Sequence, residues 1–349
     1  MTATFLPDPE PRVRNYTIIS VDDHLIEPAH CFEGRLPAAL QERAPRVVTL
    51  ADGRETWIYE DNFYPQVGLN AVAGRPKAEW SMEPARFDEM RRGCYDIEAR
   101  VADMDLDGVH ATLCFPSLIA GFAGTIFAKS KDPELGLAAL RAWNDWHIDE
   151  WAGSHPGRFI PLPLCALWSP QLSAQEVRRV ARKGATAIAF SQAPETFGHP
   201  SIHSGAWDPF FAACQEEDVT IAIHIASSNM VVTGDSRETP IEVASTLPCW
   251  NSLTCAAHLL WCKSLVKYPH VKIALSEGGT SWIPGFLDRM ERQFHLQRWM
   301  KSDLGGLRPT EKFRRHFLAC FICDPSGLLL RDRIGIDNIA YEVDYPHSD

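Results

Sequence analysis

The chain has 349 residues, 45% hydrophobic and 23% charged, which is enough apolar material for a sizeable core and too much for global disorder. Its formal net charge is -11, from 34 Lys+Arg against 45 Asp+Glu, and that balance argues against nucleic acid or an anionic membrane surface as a partner. No apolar run reaches transmembrane length, and residues 1–15, with Pro7, Pro9 and Pro11, show no apolar leader core, so a soluble, cytoplasmic protein is expected.

The first predicted strand, about 17–22, runs into Ile18-Ile19-Ser20-Val21-Asp22-Asp23-His24. An apolar strand that stops at two carboxylates and an imidazole reads as a buried parallel strand with polar groups at its C-terminal end. Asp22 and His24 are two apart and point to one side, Asp23 to the other. Taken alone, the run is equally a hydrogen-bonded strand-end turn. Residues 28–96 carry many Pro, Gly, Trp and charged residues without a sustained period and read as an insertion after this strand. Asp52-Gly53, between Val47-Val48 and Trp57-Ile58-Tyr59, predicts a small hairpin inside it. Arg86, Arg91 and Arg92 read as solvated surface arginines, with a hold on a substrate carboxylate as the alternative.

Regular alternation follows. Ile97, Val101 and Met104 have helical spacing closed by Gly108, and Val109–Phe115 is a strand. A helix around 135–151 carries Trp143, Trp146 and His147, and Phe159–Leu164 is a strand. Ser173-Ala-Gln-Glu176 reads as a capping box ahead of Val177 and Val180, and Ala185–Phe190 as a strand. Asp208-Pro209 reads as an N-cap and first helical residue. Val219–Ile225, a strand, contains His224. Residues 244–268 read as one helix, Val271–Ser276 as a strand leading to Glu277-Gly278-Gly279, and Ile283–Phe294 as a helix. Leu318–Cys323 is a strand, Asp324-Pro325 starts a helix, and Ile339–Val343 is the last strand, followed by Asp344-Tyr-Pro-His347. Most of the ten cysteines, Cys114, Cys165 and Cys320 among them, sit in apolar runs and read as small core residues. The Cys320–Cys323 spacing has no second pair to complete a zinc ribbon.

Eight strands alternating with helices predict an α/β fold, a (β/α)8 barrel in one domain spanning 1–349. No glycine-rich fingerprint follows the first strand, which weighs against a dinucleotide-binding sheet. The chain stops just after the eighth strand, before the helix that would cover it, so a truncated barrel is expected. Four groups end strands at the expected active face: Asp22 and His24 on strand one, His224 on strand five and Asp344 on strand eight. Buried carboxylates and imidazoles need partners, and two of each suit one divalent cation, zinc, manganese or iron. The bland alternatives are a core histidine at 224 and a turn residue at 344. Glu277, ending strand six, reaches toward the same centre or caps the next helix. His347 and Asp349 are read as loop residues, with groups that support the metal ligands as the alternative, and His110, His147, His258, His295 and His316 are given no chemistry.

These residues carry a resemblance. Val21-Asp-Asp-His-Leu-Ile-Glu-Pro28, the strand with His224, Ile273-Ala-Leu-Ser-Glu-Gly-Gly-Thr-Ser-Trp-Ile-Pro284 and Asp344-Tyr-Pro-His347 resemble the amidohydrolase-related family, and within it the aminocarboxymuconate-semialdehyde decarboxylase branch. The resemblance covers residue 17 to the end. It implies a metal-dependent distorted (β/α)8 barrel, with Asp22, His24, His224 and Asp344 as metal ligands and a homodimer as a common assembly. The branch often has His-x-His on strand one; here the first position is Asp22, which adds negative charge and favours manganese over zinc. Its strand-six histidine is replaced by Glu277, which becomes the expected general acid or base beside Asp344. The implied activity is non-oxidative decarboxylation of a small aromatic or unsaturated carboxylic acid. The alternatives are metal-dependent hydrolysis of an ester, lactone or amide, and a non-catalytic binding barrel.

Overall fold

The computed structural model describes residues 3–10, 12–81, 84–228 and 238–348; Asp349 lies outside them. The chain falls into two compact units, one formed by 1–164 with 342–349 and one by 165–341.

In the first unit the strand ending at His24 is β1 (Ile18–His24). It pairs in parallel with β5 (Val109–Phe115), which pairs in parallel with β6 (Phe159–Ile160). Every β5 residue except His110 is buried, as a strand covered on both faces requires. Between β1 and β5 lies the predicted insertion. It holds an antiparallel sheet of β2 (Arg46–Thr49), β3 (Glu55–Tyr59) and β4 (Asn62–Tyr64), and Val47 pairs with Trp57 as the expected hairpin requires. The third strand was not expected. Its turn is Glu60-Asp61, both at positive φ, a conformation usually marked in sequence by Asn-Gly. Helix α1 (Ile97–Asp107) starts where the Asp96 side chain accepts from Ala99 N–H and ends at left-handed Gly108. Helix α2 (Pro133–Trp146) is capped by Asp132 with Pro133 in its first turn, and a π-helical turn, His147–Ala152, continues it.

The second unit carries the regular repeat. Its elements are α3 (Pro170–Ala181), β7 (Ala187–Ala189), α4 (Asp208–Glu216), β8 (Thr220–His224), α5 (Ile241–Thr246), α6 (Pro248–Leu260), α7 (Ser264–Lys267), β9 (Ile273–Ser276), α8 (Ile283–Leu296), α9 (Pro309–His316), β10 (Phe317–Phe321), α10 (Pro325–Leu329), α11 (Arg331–Ile334) and β11 (Ile339–Tyr341). The strands form one parallel sheet in the order β11-β10-β9-β8-β7. Counting β1, β5 and β6, eight strands in parallel pairings are present among the described residues, each at a predicted position.

Three local readings change. Helix α3 starts earlier than the expected capping box: Ser169 caps it, accepting from Leu172 N–H, while Ser173 is inside the helix and donates to the Ala166 carbonyl. Trp207 precedes α4, and the Asp208 carboxylate accepts from Ser264 and Lys267 instead of capping. The single helix expected over 244–268 is three pieces; the first break falls at Pro248, which lacks the N–H that a continuous helix would need from it.

Candidate metal centre

At the end of β1, Ser20, Asp22, Asp23 and His24 are all buried. The segment after β11 is laid beside them by three hydrogen bonds. Val343 N–H donates to Ser20 Oγ (2.9 Å), Asp344 N–H to the Asp22 carbonyl (3.0 Å), and His24 N–H to the Tyr345 carbonyl (2.6 Å). These bonds fix where Asp344 projects. Its backbone is left-handed, φ +59°, a region that L side chains occupy at a cost and that clusters at functional sites. His24 Nε2 then lies 3.9 Å from Asp22 Oδ1 and 3.4 Å from Asp344 Oδ1. The expected alternation holds, with Asp22 and His24 sharing a side.

Asp23 points away and does structural work. It accepts from Ser20 Oγ (2.8 Å), Thr112 Oγ1 (2.5 Å) and Tyr345 N–H (3.3 Å) and pairs with the buried Arg100 guanidinium at 3.5 Å. Burial pushes its carboxyl upward from the ordinary value, against the opposing pull of Arg100 and these donors. Arg100 also donates to the carbonyls of His24 (2.9 Å) and Gly93 (3.3 Å) and lies 4.1 Å from the centre of the Tyr345 ring. The Tyr345 hydroxyl donates to Asp103 (2.6 Å). Gly93 is required here, since a Cβ on it would meet Asp103 Oδ2 at 2.2 Å. The sequence carried a sign of this network: Arg100 falls on the same helical face as Ile97, Val101 and Met104.

Glu27 is a second buried carboxylate to which the sequence reading gave no role. It accepts from Ser117 N–H (3.2 Å), Ser117 Oγ and Trp143 Nε1 (3.0 Å), tying the segment after β1 to α2. Burial raises its carboxyl above the usual range. Arg86, Arg91 and Arg92, expected at solvated positions rather than on a substrate carboxylate, pair within the chain: Arg86 with Asp88, Arg91 with Asp103 and Asp8, and Arg92 with Asp96. Rings flank His24 instead. Phe122 lies at 5.1 Å, Phe115 at 6.1 Å and His347 at 4.0 Å between centroids, so His347, read from sequence as a loop residue, packs directly on a candidate ligand.

In the second unit His224 ends β8, buried, and its Nδ1–H donates to the Ile225 carbonyl (2.5 Å). That bond selects the tautomer whose Nε2 lone pair is available to a cation, the usual support of a metal-binding histidine. Its Nε2 is 3.3 Å from Glu277 Oε2. Glu277 follows β9 with left-handed backbone, φ +56°. The turn after it is anchored by Asp324, which accepts from Thr280 N–H (2.5 Å), Ser281 N–H (2.6 Å) and Gly327 N–H (3.0 Å). Gly278 admits the close approach of Ser252, whose Oγ a Cβ would meet at 2.2 Å.

The donor set of the first unit fits a divalent cation. Two buried carboxylates bring negative charge out of water, and the guanidinium buried beneath them, Arg100, is engaged by Asp23. Two donors about 2.1 Å from one ion, at octahedral to tetrahedral angles, stand about 3.0–3.4 Å apart; the His24–Asp344 separation of 3.4 Å falls in that interval, and the His24–Asp22 separation of 3.9 Å lies beyond it. Carboxylate with imidazole suits manganese, zinc or iron better than magnesium or calcium.

Among the described residues no helix is long and apolar enough to cross a membrane. The fold has close counterparts. An amidohydrolase from Mycobacterium avium subsp. paratuberculosis K-10 superposes with a TM-score of 0.76 at 20% identity, over 96% of this chain and 91% of that one. A 5-carboxyvanillate decarboxylase from Novosphingobium aromaticivorans DSM 12444, solved with bound manganese and 3-methoxy-4-hydroxy-5-nitrobenzoic acid, gives 0.64 at 19% identity, over 95% and 88%. A dihydroxybenzoic acid decarboxylase from Polaromonas sp. JS666, with manganese and 2-nitroresorcinol, gives 0.62 at 16% identity, over 95% and 86%. These likenesses bear out the (β/α)8 fold class. The amidohydrolase family profile matches residues 40–349, and the chain belongs to the amidohydrolase family.

Proposed function

We propose that this amidohydrolase-family enzyme is a metal-dependent carboxy-lyase that removes CO2 from a small aromatic or unsaturated carboxylic acid. Asp22, His24, His224 and Asp344 hold the ion in this reading. The observation that carries it is the buried acid-x-His end of β1 with Asp344 Oδ1 3.4 Å from His24 Nε2. The aromatic acid decarboxylases among the fold's counterparts, solved with manganese, support it. A bound divalent ion supplies Lewis acidity toward the substrate carboxylate and a neighbouring oxygen.

The chain's own residues do the rest. Phe122, beside His24, offers an apolar face to an unsaturated ring. Glu277, on its left-handed backbone, delivers a proton to the carbon that bears the carboxylate. The carbon–carbon bond then breaks, its electron pair returns to the ring, CO2 leaves, and the Glu277 carboxylate regains a proton from water. Hydrolysis is the second reading, favoured by the placement of Glu277 3.3 Å from His224 Nε2, where a carboxylate can accept a proton from water as a general base. The test is product analysis with manganese-loaded protein and a panel of hydroxylated benzoates. CO2 release with formation of the matching phenol is expected. No CO2 from any of them, together with cleavage of ester, lactone or amide substrates, would replace the lyase reading with the hydrolase.

A further inference from the structure

His347 lies three residues beyond Asp344, in a turn closed by its own N–H donating to the Asp344 carbonyl (2.9 Å). The insertion holds that turn in place. Val72 and Ala73 N–H both donate to the Pro346 carbonyl, at 2.9 and 3.0 Å, and Asn70 Nδ2 donates to Ser348 Oγ at 3.0 Å. The side chain is accordingly 9% exposed, not a loop residue in solvent. Its Nδ1 is 3.1 Å from Asp344 Oδ1, the oxygen that also lies 3.4 Å from His24 Nε2. The two imidazole planes are inclined by 28° with centroids 4.0 Å apart, and donor atoms of His24, Asp344 and His347 all lie within 4.8 Å of one another.

We infer that His347 Nδ1 is a further ligand to the ion of the proposed centre, an inference that rests on that centre being real. Two separations meeting at one carboxylate oxygen, 3.1 and 3.4 Å, both fall in the interval of about 3.0–3.4 Å set by donors sharing one ion. Stacking brings the second imidazole in alongside the first, and the insertion clamps the backbone that carries it. A ligand on this turn gives the 28–96 segment a part in the chemistry, since it orders a metal donor. A further nitrogen donor also shifts preference toward transition metals and away from magnesium.

The test uses Co2+ with the full chain, titrated into metal-depleted protein, reading the dissociation constant by calorimetry and the visible absorption bands of the bound ion. Three variants separate the roles of the side chain. His347→Phe keeps a stacking ring without a donor, His347→Asn restores an oxygen near the Nδ1 position, and His347→Ala removes both. We expect the Phe and Ala variants to bind Co2+ about ten-fold or more weakly, with shifted bands, and Asn to recover part of both. Thermal melts of the metal-free proteins identify any variant that has lost its fold; Asn, the smallest chemical change, then carries the test alone, its bands expected to differ from those of the parent. Parent-like affinity and bands in the Phe variant, or in Asn where it stands alone, would make His347 a packing residue and overturn the inference while leaving the centre standing. Failure of the parent protein itself to take up Co2+ would overturn the centre and the inference together.

Discussion

Three consecutive residues at the end of β1 divide the labour of the site. Asp22 and His24 face one side, toward Asp344, and Asp23 faces the other, toward Arg100. The division follows from strand geometry, since alternate side chains leave opposite faces. It makes the two aspartates separable by mutation. Asp22→Asn removes a charge from the donor set, and the expected result is a metal dissociation constant raised about ten-fold or more with the melting temperature of the metal-free protein nearly unchanged; unchanged metal affinity would remove Asp22 from the ligand set. Glu277→Gln is expected to do the reverse. It should leave metal content intact and lower turnover by about a hundred-fold or more, measured as CO2 release, whereas turnover at the parent rate would take Glu277 out of the mechanism.

At the scale of elements, the sequence shows most where an element is buried on one or more faces. The eight parallel strands were legible because each is a short apolar run bounded by turn residues, and α1 because its cap and its closing glycine are both in the sequence. What could not be read was polar chemistry inside apolar surroundings. Arg100 on α1 shares the apolar face of Ile97, Val101 and Met104, which marks it as buried, but its partner, Asp23, lies 77 residues away and no spacing names it. The turn Glu60-Asp61 and the left-handed backbone at Glu277 and Asp344 are set by tertiary contacts, and no glycine announces them. The Asp23–Arg100 pair yields its own prediction. Arg100→Met leaves a buried carboxylate without its cation, and about 3–5 kcal/mol of stability is expected to be lost in denaturant unfolding of the metal-free protein. A loss within about 0.5 kcal/mol, the range of ordinary surface changes, would show the pair to be dispensable.

For the whole molecule, two buried histidines tie stability to pH. His147, at the start of the π-helical turn, is held at about 3 by desolvation, and its Nε2 accepts from Leu162 N–H (3.0 Å). His316, in α9, is held at about 4, chiefly by desolvation. An unfolded chain protonates both near pH 6.5, while the folded chain resists to lower pH. Their contribution is therefore complete above about pH 6.5 and is lost as pH falls toward about 4 and 3, at up to about 1.4 kcal/mol per pH unit for each group. His147→Gln, which keeps an acceptor for Leu162, is expected to flatten the dependence of the unfolding free energy between pH 6.5 and 4.5; an unaltered slope would place the pH dependence elsewhere.

The insertion was legible at this scale only as an interruption. Its small sheet could be foreseen in part, but not its grip on the turn that carries His347, because that grip is made of backbone hydrogen bonds that leave no mark on side-chain pattern. The candidate ligand positions stood out because buried strands seldom end in carboxylates and imidazoles without a partner to share. In the proposed function these groups hold one divalent ion, and elemental analysis of manganese-loaded, desalted protein is the direct test. About one equivalent of metal per chain is expected, falling below about a tenth in an Asp22→Asn, Asp344→Asn double variant that still folds. Less than about a tenth of an equivalent in the parent protein, or an undiminished equivalent in the double variant, would contradict it.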